Sequence, residues 1–169
     1  RSLVHTAVVH NQPDWAEISA SFDIPANTAA VQVEIFFEYA GGMFRVDDVE
    51  FVPAGAPSTP ADTPAHTGSA ASVPPAPAVD HTGNLVNNPT FAQGLDAWKV
   101  YRFSGQPIVS ADGAGVKIVT HDNTERVTVY QDVRGFKPGV PHELTAMVRT
   151  QETTSGRGAY IRLQFKDAQ

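Results

Sequence analysis

The sequence predicts an all-β protein, a sandwich assembled from two stretches of chain on either side of a Pro/Ala-rich segment. Three observations predict it. Apolar residues recur with a period of two in several segments, among them 30–39, 142–149 and 159–166, and no segment of residues 1–53 has convincing helical periodicity. Strand candidates are separated at short spacing by clusters of Gly, Pro, Asn, Asp and Ser. Residues 54–83 have no aromatic side chain and only Asp62 and Asp80 as charges, and seven of the chain's 13 prolines lie between Pro53 and Pro77.

That composition cannot bury enough apolar surface to offset the entropy of ordering, so residues 54–83 are expected to be a disordered linker with extended polyproline character. The foldable remainder, roughly 140 residues, suits one domain, whereas residues 1–53 alone would be marginal without a cysteine or metal staple. One shared domain is therefore favoured over two small ones.

In chain order, residues 2–9 are rich in Leu, Val and Thr and end at His10-Asn11-Gln12-Pro13, a strand closed by a turn. A second strand is expected over 15–22. From Ala30 the alternation is strict, with Val31, Val33, Ile35, Phe37 and Tyr39 inward and Gln32, Glu34, Phe36 and Glu38 outward, as in a half-buried strand. Ala40-Gly41-Gly42 signals a tight turn into a strand over 43–52. There the inward set runs Phe44, Val46 and then Val49, Phe51, so a β-bulge is expected at Asp47-Asp48. After the linker, 84–91 reads as a short strand running into a turn. Further strands are expected over 98–103, 108–111, 116–120, 126–133, 142–150 and 159–165. In the last of these, Ala159, Ile161, Leu163 and Phe165 face inward, and Tyr160, Arg162, Gln164 and Lys166 share the wetter face.

The formal net charge is −6, from 18 acidic and 12 basic residues with no basic run, which argues against a nucleic-acid surface. The chain has no cysteine, which removes disulfides, thiolate chemistry and Cys-ligated zinc. No apolar stretch approaches the roughly 20 residues of a membrane span, so no membrane partner is expected. The chain starts at Arg1 rather than Met, so an upstream signal or domain could have been removed. The six histidines do not form a metal spacing, and no nucleophile-elbow sequence accompanies the Ser, His and Asp residues.

Two stretches carry a resemblance. Asn84-Leu85-Val86-Asn87-Asn88-Pro89-Thr90-Phe91 followed by Gly94-Leu95-Asp96-Ala97-Trp98 resembles the opening of the jelly-roll, galactose-binding-like carbohydrate-binding modules of bacterial polysaccharide-degrading enzymes. Gly42-Met43-Phe44-Arg45-Val46-Asp47-Asp48-Val49-Glu50-Phe51 resembles their closing strand. The order is inverted. Residues 1–53 resemble the C-terminal half of a module, and residues 84–169 resemble the N-terminal half. A tandem array cut mid-module or a circular permutation would each produce this order, and the halves are expected to pair, within one chain or by exchange with a second copy.

The resemblance implies non-catalytic binding of a polysaccharide or oligosaccharide, with the module attached to an enzyme and secreted or displayed at the cell surface. Sugar recognition needs aromatic faces and planar hydrogen-bonding side chains, and the outward residues Tyr130, Tyr160, Arg162, Gln164, Glu34 and Phe36 supply both types. Gln131 could join them at a bulge, and Tyr101 and Phe103 rank behind them. No cofactor is required, although the resemblance implies a possible structural calcium held by Asp47 with oxygens from the loop around Asn88. Ala92 replaces an acidic ligand that the family often places after the opening Phe, and a hard cation wants six to eight oxygens. The competing expectations are a structural spacer or adhesion sandwich that contacts neighbouring modules and, less favoured, a small polysaccharide-active enzyme. Catalysis is disfavoured because no pair of carboxylates is marked for glycoside hydrolysis.

Overall fold

Alternating apolar residues, punctuated by turn residues, give ten strands and no helix among the described residues of the computed structural model, which are 2–6, 8–55, 83–112, 115–154 and 156–167. The strands are β1 (Ser2–His5), β2 (Ala16–Asp23), β3 (Thr28–Glu38), β4 (Gly42–Pro53), β5 (Lys99–Ser104), β6 (Ile108–Ala111), β7 (Val116–Thr120), β8 (Arg126–Val133), β9 (Pro141–Gln151) and β10 (Gly158–Asp167). Apart from its ends, the expected linker lies outside the described residues.

The strands form two five-stranded antiparallel sheets, ordered β1-β10-β3-β8-β5 and β2-β9-β4-β7-β6. Their apolar faces meet in one core. Phe37 of β3 lies edge-on to Phe44 of β4 across the sandwich, with ring centroids 6.0 Å apart, and Phe22 of β2 contacts Phe165 of β10. Strands from the two flanks interleave at the centre of both sheets: β3 lies between β10 and β8, and β4 lies between β9 and β7, while β5 and β6 extend the second flank's own edge.

The bulge in β4 is present, with the register against β9 shifting between Asp47 and Glu50. Asp48 takes a left-handed φ of 47°, and Phe44, Val46, Val49 and Phe51 all reach the core. At the start of the same strand, Gly42 has φ 124°, and a Cβ there would sit 2.7 Å from the carbonyl oxygen of Glu152. Only glycine fits this end of the β4–β9 pair.

Three expectations need correction. β3 is not half-buried, because residues 31–38 are buried on both faces. Tyr39 does not continue the inward set: the strand stops at Glu38, Tyr39 turns to φ 52°, and its ring is exposed. Residues 84–91 form bends and turns rather than a strand. They dock on β4 through two backbone bonds, Leu85 N–H to Phe51 O at 2.9 Å and Val49 N–H to Pro89 O at 3.1 Å, and through the Asn84 amide, which accepts from Phe51 and Val86 and donates to Val49 O.

Because β3 and β4 have both ladders filled by strands from the other flank, each flank alone would leave two long apolar strands unpaired. Residues 1–55 and 83–169 produced as separate chains are therefore expected to lack cooperative melting singly and to regain it when mixed. A cooperative thermal transition from either piece alone would overturn this.

Candidate functional site

The outer face of the β1-β10-β3-β8-β5 sheet collects the polar and aromatic residues that period-two alternation turns away from the core. Cross-strand pairing sets Tyr160 opposite Phe36, and Arg162 opposite Glu34, which is in turn opposite Tyr130. Gln164 faces Gln32 one row along. Tyr130, Tyr160, Arg162, Gln164, Glu34 and Phe36 thus lie on one face, spread over the three central strands.

Their exposure differs from the expectation. Phe36 is fully buried and Tyr160 is 5% exposed, although both project outward. They bury one another: the rings stack with centroids 5.4 Å apart and planes 6° from parallel. Phe103 of β5 stacks on Phe36 at 5.9 Å, and the Arg162 guanidinium lies 4.0 Å from the Phe36 centroid. Stacking of this kind contributes about 0.5–1.5 kcal/mol per pair beyond area burial. The aromatic surface that solvent reaches belongs to the edge strand β5, where Tyr101 is 55% and Phe103 43% exposed. These two rings meet edge to face at 4.6 Å, and the Arg126 guanidinium sits 4.1 Å from the Phe103 centroid. Residues 99, 101 and 103 alternate onto this face, and that signal was available in the sequence.

The carboxylates of the face are committed to cations. Glu34 is buried and receives a hydrogen bond from Arg162 Nε. Glu38 is fully buried, with Arg126 Nε 2.5 Å from its Oε1 and Arg157 Nη1 3.6 Å from its Oε2. The Arg126 contact is ionic, off the line of a well-formed hydrogen bond. Burial pushes the Tyr160 phenol well above its ordinary pKa, and the neighbouring Glu38 carboxylate adds to the shift. The phenol therefore stays protonated. At the other end of the face, burial opposes ionisation of Asp132, but bonds from Lys99 and Gln32 hold its carboxyl below the usual range. Lys99 also lies 5.8 Å from the ring centroid of half-buried Tyr130. Lys99, Asp132 and Arg157 carried no motif in the sequence.

Gln131 cannot join this face. It is buried and clamped to the backbone of Asn87, accepting from its N–H at 2.9 Å and donating to its carbonyl at 3.0 Å.

Asp47 and Asn88 occupy the neighbourhood of the β4 bulge, where Val49 N–H donates to Pro89 O at 3.1 Å. Asn88 is spent on its own loop: its amide donates to the carbonyls of Gly94 and Asp96 and accepts from Gln93 N–H. Its backbone carbonyl accepts from the Trp98 indole, whose ring stacks on Phe91. Asp47 accepts from the Asp48 N–H. Among the described residues no group of three or more His, Cys, Asp or Glu side chains is placed to hold a metal ion. The donor pair implied by the resemblance therefore fits a calcium cage poorly. Burial, with Asp48 and then Asp112 as like charges, pushes the Asp47 carboxyl up to about 7.

No protein-family model matches this chain, and no curated protein or solved structure matches it either.

Two predictions follow from these charges. Arg162→Leu strands the buried Glu34 carboxylate and is expected to cost about 3–5 kcal/mol in denaturant unfolding, while Arg162→Leu with Glu34→Leu recovers most of the loss. A double variant no more stable than the single would show the pair to be unimportant. For Asp47, a folded pKa raised above the unfolded value means that stability falls as pH rises from about 4 to about 7 and stays low above it. Asp47→Asn keeps the acceptor for Asp48 and should raise Tm by at least about 3 °C at pH 8 with little change at pH 4. Equal shifts at both pH values would count against the raised pKa.

Proposed function

We propose that this protein is a non-catalytic carbohydrate-binding module that holds an attached enzyme against a polysaccharide outside the cell, and that the outer face of the β1-β10-β3-β8-β5 sheet is its sugar-binding surface. The observation that carries this reading is the exposed Tyr101–Phe103 pair, which extends a buried aromatic stack across a face lined with arginines and carboxylates. An exposed ring offers the apolar side of a pyranose a flat partner, and guanidinium groups donate to its hydroxyls. Tyr160, Phe36, Arg162 and Glu34 act from beneath, holding Phe103 and the arginines in place. Tyr130 and Gln164, both half-buried, extend the polar surface along the strands.

The same reading takes the sandwich as a jelly roll with its halves in inverted order. When the strands are followed from β5 through β10 and then from β1 to β4, the pairs β7 with β4, β8 with β3, and β9 with β2 nest one inside the next. β1 runs antiparallel to β10 with Ser2 opposite Phe165, which supports the reading of those two strands as successive. Glu34 and Glu38 are both held by guanidinium partners, an arrangement that suits a scaffold better than proton transfer.

Affinity electrophoresis across plant, algal and bacterial glycans, combined with Tyr101→Ala and Phe103→Ala, tests the proposal. Retardation by at least one glycan is expected, with about two- to tenfold weaker binding in the variants, given about 0.5–1.5 kcal/mol for a lost aromatic stack. Unchanged melting would show that these edge-strand variants remain folded. If no glycan retards the protein, the spacer or adhesion reading takes its place.

A further inference from the structure

On the other side of the sandwich, the outer face of the β2-β9-β4-β7-β6 sheet carries three cations in one row. Lys117 of β7 is directly opposite Arg45 of β4, and Arg45 is directly opposite Arg149 of β9. All three project outward, because Val116 and Ile118, Phe44 and Val46, and Val148 and Thr150 beside them are buried. Side chains directly opposite on antiparallel strands approach within about 5 Å at Cβ, and like charges there are destabilising. Three adjoining cations thus concentrate positive charge on this face, with the Asp112 and Asp47 carboxylates beside them.

The row is undercompensated. Asp112, just beyond β6, makes a two-pronged contact with Arg45, to Nη1 at 3.1 Å and Nη2 at 2.6 Å. No carboxylate among the described residues forms an ion pair with Arg149 or Lys117. Arg149 instead lies over the ring of Trp15, 5.0 Å from its centroid, with its Nε buried and without a hydrogen-bond partner. Burial and then the neighbouring Arg45 lower its pKa, opposed in part by the Asp112 carboxylate. The Trp15 face fixes the guanidinium plane, so its outer N–H groups are preorganised for a planar or tetrahedral oxyanion.

We propose that Arg149, Arg45 and Lys117 form an oxyanion-binding site, taking a carboxylate or sulfate group, on the opposite side of the sandwich from the aromatic face. The bound anion neutralises the row, accepting from Arg149 and Lys117 while Asp112 continues to hold Arg45. The site is independent of the sugar-binding proposal, because none of its residues lies on that face.

Arginine Nε–H and indole N–H signals in nitrogen–proton correlation spectra of the full chain test it directly. Sodium sulfate and sodium glucuronate are titrated at an ionic strength held constant with sodium chloride, with methyl glucoside as a neutral control. Saturable shifts of the Arg149, Arg45 and Trp15 signals are expected with an oxyanion and not with the glucoside. The shifts should be lost in Arg149→Met, which keeps an apolar stem over Trp15, weakened in Lys117→Gln, and retained in Tyr101→Ala. A response to sulfate alone supports a site for a small free anion, and a response to glucuronate as well extends it to acidic sugars. Shifts that follow total salt without saturating, or that persist in Arg149→Met, overturn the proposal.

Discussion

The structure depends on the placement of β3. Its residues 31–38 are buried on both faces, and both of its edges are filled, by β10 on one side and β8 on the other. A strand in that position cannot leave backbone groups to water, so its N–H and C=O groups need both neighbours at once. Those neighbours come from the far side of the Pro/Ala-rich segment, and β4 is in the same position between β9 and β7. Neither flank can complete its own sheets, which makes the pairing of distant segments the condition for a core.

Burial of β3 on its outer face sets the chemistry of that face. Glu34 and Glu38 project into a region sealed by aromatic rings and guanidinium groups, and an unpaired carboxylate there would be costly. Arg162 and Arg126 compensate while stacking on Phe36 and Phe103, so each guanidinium is used both for its charge and for its flat face. Such a layer is rigid because each member is held from two directions. The exposed rings of Tyr101 and Phe103 rest on this layer, and a binding surface gains from such preorganisation.

The opposite face shows the contrasting case. There the row of Lys117, Arg45 and Arg149 has the Asp112 carboxylate on its middle member, Arg45, and the like charges remain side by side. One sandwich thus carries a self-compensated aromatic face and an undercompensated basic row, two surfaces with different needs for a partner.

The sequence by itself determined the local elements. Period-two alternation located the strands within a few residues, and the slip in apolar phase at Asp47-Asp48 revealed the β4 bulge, because a strand must keep its apolar set on one side. The same alternation put Tyr130, Tyr160, Arg162, Gln164, Glu34 and Phe36 on one face, since outward phase is a local property. Exposure is not local. Whether an outward ring meets water depends on which strands lie beside it, and only the tertiary structure set Tyr160 over Phe36 and left Tyr101 and Phe103 open. The turn at Tyr39 and the docking of residues 84–91 through Asn84 were equally invisible, because each is fixed by a partner distant in sequence, Glu125 for Tyr39 and β4 for Asn84. Pairing across the sheets, unlike periodicity along a strand, has no signature in a single stretch of chain. The tertiary structure therefore decided which of the polar and aromatic side chains face solvent.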